Sequence, residues 1–304
     1  MKVNKKQENI FEDLVKIFEN LKEKEIKIRR NNYGWAMCPK ESAAELVAPT
    51  DKRGQWKIVS GMPGTGKTTL LIDYYQRLVK EFGKGSVAVM AIGERQIEIK
   101  EDWGKIVPQS DLYTIASDEA MPEDLVQKLK DIVFKVCNNS RYKAVIIDSL
   151  SGIYEIIANY EYLSGIGLGA GGLNLKAPNF ININIIKPLR CRFFSEWDEQ
   201  LGCENITSYR EDRIIISSLL YGQESRDKKT LYENLKAKCD SEVVLSQQVG
   251  EELNIYPAID VQKCYSRRID KFCSDKHIDF IRAIRKYHVD IKCLHEYIEE
   301  NYPK

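Results

Sequence analysis

The sequence lacks several features that would each assign it to a broad class of protein. No stretch approaches the roughly 20 consecutive apolar residues of a membrane span, and the first residues contain no apolar segment of signal-peptide length. The formal net charge is +1, so the molecule as a whole does not attract polyanions. The eight cysteines include no C-x-x-C pair, which argues against a disulfide framework. These absences predict a cytoplasmic protein with reduced thiols and no membrane partner.

Histidine is scarce, and the histidines lie close together in the sequence. The chain has three, His277, His288 and His295, and they share one segment with Cys273 and Cys293. The spacings match no zinc-finger or ribbon pattern, and the segment has helical periodicity. Ordinary helix faces are therefore favoured over a metal site.

Short apolar runs alternate with helical periods from residue 55 onward. Helical stretches are predicted near 67–82 and 122–137, between the early runs. This alternation predicts an α/β fold with a mostly parallel central sheet flanked by helices. The predicted strands are QWKIVSG, SVAVMAIG, DLYTIAS, KAVIIDSL, RIIISSLL and EVVLSQ.

The segment SGMPGTGKTT follows the first predicted strand and opens the first predicted helix. It fits the phosphate-loop pattern G-x-x-x-x-G-K-[ST]. In this motif backbone N–H groups cradle phosphates, the lysine reaches the β and γ phosphates, and the hydroxyl binds magnesium. We therefore expect a nucleotide site with magnesium, formed by Gly61, Met62, Pro63, Gly64, Thr65, Gly66, Lys67, Thr68 and Thr69.

Polar residues end two further predicted strands. KAVIIDSL carries Asp148, whose carboxylate can hold the magnesium shell opposite Thr68. SVAVMAIGER carries Glu94 and Arg95 to the edge where open parallel sheets bind their ligands. Glu94 can orient and deprotonate water at such an edge, and its alternative interpretation is a solvated charge.

Several segments together resemble the ATPase domain of the transcription termination factor Rho family in order and near-spacing. The resemblance covers about residues 45–300 and implies the RecA-like fold that this family shares with the catalytic subunits of rotary ATP synthases. It also implies ATP as the cofactor, a hexameric ring, single-stranded RNA as partner and a link to transcription. The segments are KRGQWKIVSGMPGTGKTTLL, AVMAIGER, AVIIDSLSG, SGIGLGAGGLN, LYENLKAKCDSEVVLS and IYPAIDVQKCYSRR.

The resemblance also implies roles for individual residues. With Lys67 on the phosphates, Glu94 is the catalytic base and Arg267 is an arginine finger that completes a neighbouring subunit's site. Tyr256 stacks on adenine, and Arg95 belongs to the nucleotide site.

The glycine-rich segment SGIGLGAGGLN needs a reason to exist, because glycine weakens any regular element that it interrupts. In a Rho-like ring it lines the central pore and tracks a nucleic-acid strand. Arg226 falls where Rho carries a basic RNA-contacting residue, and its alternative interpretation is an exposed charged turn. The glycines assigned to RNA are Gly165, Gly167, Gly169, Gly171 and Gly172.

The predicted organisation and the departures from Rho keep rival functions open. The resemblance implies that arginines common in Rho are replaced at Gly152, Gln247 and Asn254, and because it begins at about residue 45 we expect Rho's amino-terminal RNA-capturing domain to be missing. One alternative is a nucleotide-binding scaffold or regulator of a Rho-like ring, and a lesser one is a protein-export ATPase. The predicted parts are a helical or mixed extension at 1–44, a core at 45–273 with an insertion at about 175–212, and a helical segment at 274–304.

Overall fold

The computed structural model describes residues 54–117, 122–163, 173–198, 203–221, 226–253, 258–271, 273 and 275–286. The chain divides into two compact units, one of residues 52–240 and the other of residues 1–51 with 241–304. The predicted extension at 1–44, residues 164–172 of the glycine segment and Tyr256 lie outside the described residues.

The larger unit is built on a parallel sheet. Its strands follow the order β3-β2-β4-β7-β1, and each neighbouring pair in that order is parallel. A separate antiparallel pair, β5 and β6, has a register shift between Phe194 and Ser195. The strands are β1 (Trp56–Gly61), β2 (Val87–Ile92), β3 (Leu112–Ile115), β4 (Ala144–Asp148), β5 (Cys191–Asp198), β6 (Cys203–Glu211) and β7 (Ile214–Leu220).

Helices connect these strands. Helix α1 follows β1, α2 follows β2, α3 precedes β4, and α4 follows β4. None of the described helices combines the length and the apolar character needed to cross a membrane. The helices are α1 (Lys67–Phe82), α2 (Gln96–Asp102), α3 (Pro122–Asn138), α4 (Leu150–Leu163), α5 (Leu173–Ile181), a π-helical turn (Asn182–Ile186), α6 (Lys187–Arg190) and α7 (Arg226–Lys236).

Burial explains why the apolar runs became strands. Every residue of β1, β2 and β4 is buried, as expected for parallel strands with helices on both faces of the sheet. Strand β3 lies at the edge and is only partly buried. The mostly parallel sheet with flanking helices predicted from the sequence is therefore confirmed.

The smaller unit contains β8 (Ser241–Leu245), α8 (Gln247–Leu253), β9 (Tyr265–Ser266), a 3-10 turn (Ile269–Lys271) and α9 (Asp275–Lys286). Strands β8 and β9 pair antiparallel, with Glu242 opposite Tyr265. The guanidinium of Arg285 on α9 donates a hydrogen bond to the carbonyl of Cys264 next to β9.

Arg213 attaches the insertion to the sheet. It is fully buried immediately before β7, and burial lowers the pKa of its guanidinium to about 10. A buried cation requires hydrogen-bond acceptors, and backbone carbonyls supply them here. Its nitrogens donate to the carbonyls of Tyr142 (3.1 Å), Leu189 (3.0 Å), Cys191 (2.9 Å), Cys137 (3.4 Å) and Asn139 (3.2 Å).

These contacts join parts of the chain that are far apart in sequence. Cys137 lies in the last turn of α3 and Asn139 directly follows it, at a helix end whose last carbonyls have no partner within the helix. Leu189 and Cys191 belong to the predicted insertion. The insertion is therefore fastened at its base to the sheet and to α3.

We predict that Arg213→Ala lowers the free energy of unfolding by about 3 kcal/mol, because it leaves buried carbonyls without donors. Arg213→Lys should lower the free energy of unfolding by a smaller amount, because an ammonium keeps the charge and some of the hydrogen bonds. It should still be less stable than the wild type, because an ammonium reaches fewer of the carbonyls. Urea unfolding followed by circular dichroism measures both.

The control is Arg77→Ala, which removes an i,i+4 ion pair to Asp73 at 2.7 Å. We expect it to cost at most about 0.5 kcal/mol. Equal losses for Arg213→Ala and Arg77→Ala would contradict the anchoring role.

Candidate nucleotide site

The predicted site residues lie at one edge of the parallel sheet. Gly61 ends β1, Asp148 ends β4, and Glu94 lies two residues beyond the end of β2. Strand β4 is paired with β2, where Asp148 is opposite Ala91, and also with β7. Because the strands are parallel, their carboxyl ends meet at this edge, which is where open α/β sheets bind ligands.

The phosphate loop adopts a conformation that depends on glycine. Gly64 and Gly66 have φ angles of 75° and 90°, in the left-handed region that side chains disfavour. The Thr65 hydroxyl donates to the carbonyl of Met62 at 2.8 Å and closes the turn. The loop then enters α1 directly at Lys67. A loop followed by a helix amino terminus is the arrangement that binds phosphate.

The Lys67 ammonium lies over this loop. Its Nζ donates to the carbonyls of Gly61 at 3.1 Å and Met62 at 2.7 Å. An ammonium with backbone carbonyls as partners can exchange them for phosphate oxygens without leaving a buried donor unpaired. The position therefore fits the phosphate-binding role that the motif predicts.

Asp148 is the most highly connected acidic group at the edge. The residue is 3% exposed, and its carboxylate accepts hydrogen bonds from side chains on different elements. Thr68 Oγ1 donates to Oδ2 at 2.9 Å, Ser218 Oγ donates to Oδ1 at 2.5 Å, and Trp103 Nε1 donates to Oδ2 at 3.2 Å. The structure thus brings together Thr68 and Asp148, the residues predicted to hold magnesium.

A hydroxyl and a carboxylate are a suitable donor set for magnesium. This ion keeps several waters and binds through one or two protein oxygens plus phosphate oxygens. No larger cluster of histidine, cysteine or acidic side chains able to hold a metal occurs in the described part of the chain. Of the histidine-rich segment, Cys273 is buried and His277 belongs to α9, while His288, Cys293 and His295 lie outside the described residues.

Glu94 lies in the same electrostatic neighbourhood. Partial burial of its carboxyl, followed by the negative charges of Asp148 and Glu98, raises its pKa, and Lys67 opposes the shift. The preceding Gly93 has a φ of 92°, which turns the chain at the end of β2. The carbonyl of Glu94 accepts from the Ser117 amide at 2.9 Å, which fixes the turn.

Arg95 and Glu98 form a local pair beside Glu94. Arg95 Nη2 donates to Glu98 Oε1 at 2.6 Å, and the Arg95 side chain is 70% exposed. This hydrogen bond lowers the pKa of Glu98. The contribution of Arg95 to a nucleotide site stays a prediction, because in the structure its guanidinium contacts Glu98.

Gly152, predicted to replace an arginine common in Rho, lies at a close approach between two backbone segments. A Cβ atom at Gly152 would lie 2.2 Å from the carbonyl oxygen of Ile92, and one at Gly93 would lie 2.4 Å from the Cα of Gly152. Either distance is far below van der Waals contact. The first turn of α4 thus packs directly on the turn that carries Glu94, and no side chain fits between them.

The remaining predicted residues are placed differently or lie outside the described ranges. Arg267 is exposed in the smaller unit, directly after β9. Arg226 begins α7. Tyr256, Asn254 and the five glycines assigned to RNA lie outside the described residues.

Ser218 and Trp103 are contacts of the site that the sequence did not predict. Ser218 lies inside the buried strand RIIISSLL, where a polar residue is itself a signal because a buried hydroxyl needs a partner. Trp103 lies in the polar stretch KEDWGK, where nothing local points to Asp148.

No family model matches the chain. The chain is similar to transcription termination factor Rho of Streptobacillus moniliformis, 24% identical over 245 residues that cover 80% of this chain and 54% of that protein. It is similar to Rho of Neisseria gonorrhoeae, 23% identical over 285 residues that cover 91% and 61%. The chain therefore spans little more than half the length of these curated relatives.

Two solved structures share the fold. One is a prototypical ATPase from the type III secretion system of pathogenic bacteria, with a TM-score of 0.55 and 18% identity over 77% of this chain and 63% of that one. The other is the assembled type III secretion ATPase of enteropathogenic E. coli in complex with its central stalk. Its TM-score is 0.56, with 19% identity over 84% and 57% of the two chains. The chain therefore shares its fold with these ATPases.

We predict that Glu98→Gln lowers the pKa of Glu94. Glu98 raises that pKa through its charge and through a hydrogen bond to Glu94. Removing a neighbouring negative charge favours the ionised form of the remaining carboxylate, so the shift must be downward. Carboxyl-carbon NMR titration of protein labelled at glutamate measures it.

A matched control is Glu101→Gln, which removes a carboxylate from the same helix, although Glu101 is not among the groups that shift Glu94. The titration of Glu94 should be unchanged in that variant. An unchanged or higher pKa in Glu98→Gln would contradict the described arrangement of the carboxylates.

Proposed function

We propose that this chain is a ring-forming ATPase of the Rho type, which hydrolyses ATP with magnesium and translocates on or remodels single-stranded RNA. The observation that carries the proposal is the hydrogen bond between Thr68 and Asp148, with Lys67 on the adjoining loop and Glu94 within electrostatic reach. Phosphoryl transfer to water needs a metal site, a phosphate-binding cation and a group that orients water.

Each of these needs has a residue at the sheet edge. The loop amides and Lys67 bind the phosphates, and Thr68 with Asp148 would hold magnesium, which supplies positive charge against the phosphate oxygens. Glu94 orients the attacking water and accepts its proton. The raised pKa of Glu94 strengthens it as a proton acceptor in its ionised form.

The proposed ring follows because the site in one subunit still needs an arginine finger from outside it. Charge that develops on the transferred phosphoryl group is stabilised by an arginine finger, and the exposed Arg267 is proposed to supply one to a neighbouring subunit. The curated relatives are Rho proteins, and a solved relative is an assembled ATPase. Tyr256 is proposed to stack on adenine.

Topology supports the proposed RNA contacts. The glycine segment containing Gly165 to Gly172 follows α4, which follows β4, and Arg226 opens α7 after β7. Strands β4 and β7 are neighbours in the sheet. Both proposed RNA-contacting segments therefore come later in the sequence than strands that are neighbours in the sheet, and one of these strands ends at Asp148 of the nucleotide site.

A secretion-type ATPase is a second candidate, because the fold likeness to the type III secretion ATPases supports it. A scaffold or regulator of a Rho-like ring is a third, since Gly152 removes an arginine that Rho has. Stimulation of ATP hydrolysis by RNA would distinguish the Rho-type ATPase from the secretion-type ATPase. Any ATP hydrolysis by this chain would distinguish both of these from the scaffold or regulator.

We predict that steady-state ATP hydrolysis is stimulated by single-stranded RNA and rises more steeply than linearly with protein concentration, because rings must assemble. Glu94→Gln should still bind ATP and lose hydrolysis, since the amide cannot accept the water proton. Lys67→Ala serves as the blank for contaminating ATPases.

Hydrolysis that is indifferent to RNA would favour the secretion-type ATPase. ATP binding without turnover under any condition would favour the scaffold. Normal hydrolysis by Glu94→Gln would remove Glu94 from the role of base.

We predict that Arg267→Ala and Glu94→Gln, each inactive alone, restore hydrolysis when mixed. A site that takes Glu94 from one subunit and Arg267 from its neighbour is intact where the two variants meet in the right order. Random one-to-one assembly should restore about a quarter of the wild-type rate.

Lys67→Ala mixed with Glu94→Gln is the matched control, because both defects affect the same subunit's own site and no intact site forms. Absence of rescue in the Arg267→Ala mixture, with mixed rings demonstrated by mass spectrometry, would contradict an arginine that acts between subunits.

A further inference from the structure

Trp103 contacts the centre of the nucleotide site, yet no step described so far uses it. The side chain is buried, 2% exposed, and its Nε1–H donates to Asp148 Oδ2 at 3.2 Å. The ring packs edge-on against Tyr75 of α1, with centroids 6.3 Å apart and an interplanar angle of 86°. The indole is therefore held in place by α1 as well as by the carboxylate.

The backbone around Trp103 leads back to Glu94. Helix α2 starts one residue after Arg95, and Trp103 follows its last residue. The Trp103 amide donates to the carbonyl of Ile99 at 3.0 Å, and the carbonyl of Trp103 accepts from Val107 at 2.9 Å. One short helical segment thus has the proposed base at its beginning and a hydrogen bond to Asp148 at its end.

The donor chemistry of indole differs from that of the hydroxyls on the same carboxylate. The hydroxyls of Thr68 and Ser218 rotate and can also accept hydrogen bonds, whereas an indole N–H only donates and has the direction of its ring. When the Thr68 oxygen serves a metal ion, the hydroxyl proton must point away from the ion. The Trp103 N–H is a donor whose direction does not depend on that change.

We propose that Trp103 is a positioning residue for the metal-binding carboxylate. Its N–H holds Asp148 Oδ2 in the orientation needed for magnesium with nucleotide, and it couples that carboxylate to the segment that starts at Glu94. This inference rests on the proposed function, because it assumes that Thr68 and Asp148 bind magnesium when nucleotide is present.

Trp103→Phe isolates the donor, because phenylalanine retains a ring against Tyr75 and lacks the N–H. The magnesium concentration for half-maximal binding of a fluorescent ADP analogue should rise about 10-fold, the usual scale for loss of a partner that orients a metal ligand. Affinity for the analogue measured without magnesium should be unchanged. The difference between binding with and without magnesium is the readout, because a merely structural defect would weaken binding of the analogue in both cases.

Trp56→Phe is the matched control. Trp56 is fully buried in β1, and its Nε1–H donates to Ser217 Oγ at 2.9 Å, so the substitution removes the same kind of hydrogen bond from a neutral partner. Its magnesium titration should superimpose on that of the wild type, whatever its loss of unfolding stability.

The outcomes separate the two proposals. Wild-type protein that binds no nucleotide with magnesium would overturn the proposed function and, with it, the role of Trp103. Wild-type binding that depends on magnesium, with an unchanged titration for Trp103→Phe, would overturn only the positioning role.

A second measurement covers a Trp103→Phe variant that does not fold. The chain has four tryptophans, so wild-type protein labelled with ¹⁵N-tryptophan gives few indole resonances to assign. The Trp103 N–H resonance should shift when magnesium is added in the presence of ADP and stay unchanged with ADP alone. A resonance that does not respond to magnesium would overturn the inference.

Discussion

The Asp148 carboxylate is the constraint on which the nucleotide site depends. A buried carboxylate is stable only when hydrogen-bond donors surround it, and here the donors come from the first turn of α1, from β7 and from the residue after α2. Satisfying this one group therefore draws together the phosphate loop, the neighbouring strand and the segment that carries Glu94. The Asp148 side chain thus contacts both the phosphate-loop motif, through Thr68, and the neighbouring strand of the sheet, through Ser218.

The fold was largely predictable because its signals are local or periodic. Parallel strands buried on both faces need unbroken apolar runs, and every run proposed as a strand contains one in the structure. The phosphate loop has a short pattern whose glycines are needed for positive φ angles at Gly64 and Gly66. The pairing of Thr68 with Asp148 followed from the rule that parallel strand ends share an edge.

The rest depends on partners that no local pattern specifies. Trp103 meets Asp148 across 45 positions of sequence, and Arg213 meets Cys137 across 76. The sequence gives no sign that Gly152 packs against Gly93, which precedes it by 59 positions. Such contacts are set by how elements pack, so a residue's neighbours in sequence carry little information about them.

The contact between Gly93, after β2, and Gly152, in the first turn of α4, leaves no room for a side chain at either position. A single substitution at Gly152 meets the backbone of Ile92, and one at Gly93 meets Gly152 and adds the strain of a left-handed φ. A side chain at Gly152 would require α4 to move away from the turn that precedes Glu94. The two glycines therefore set how closely α4 can pack on that turn, and with it the position of the segment that carries Glu94.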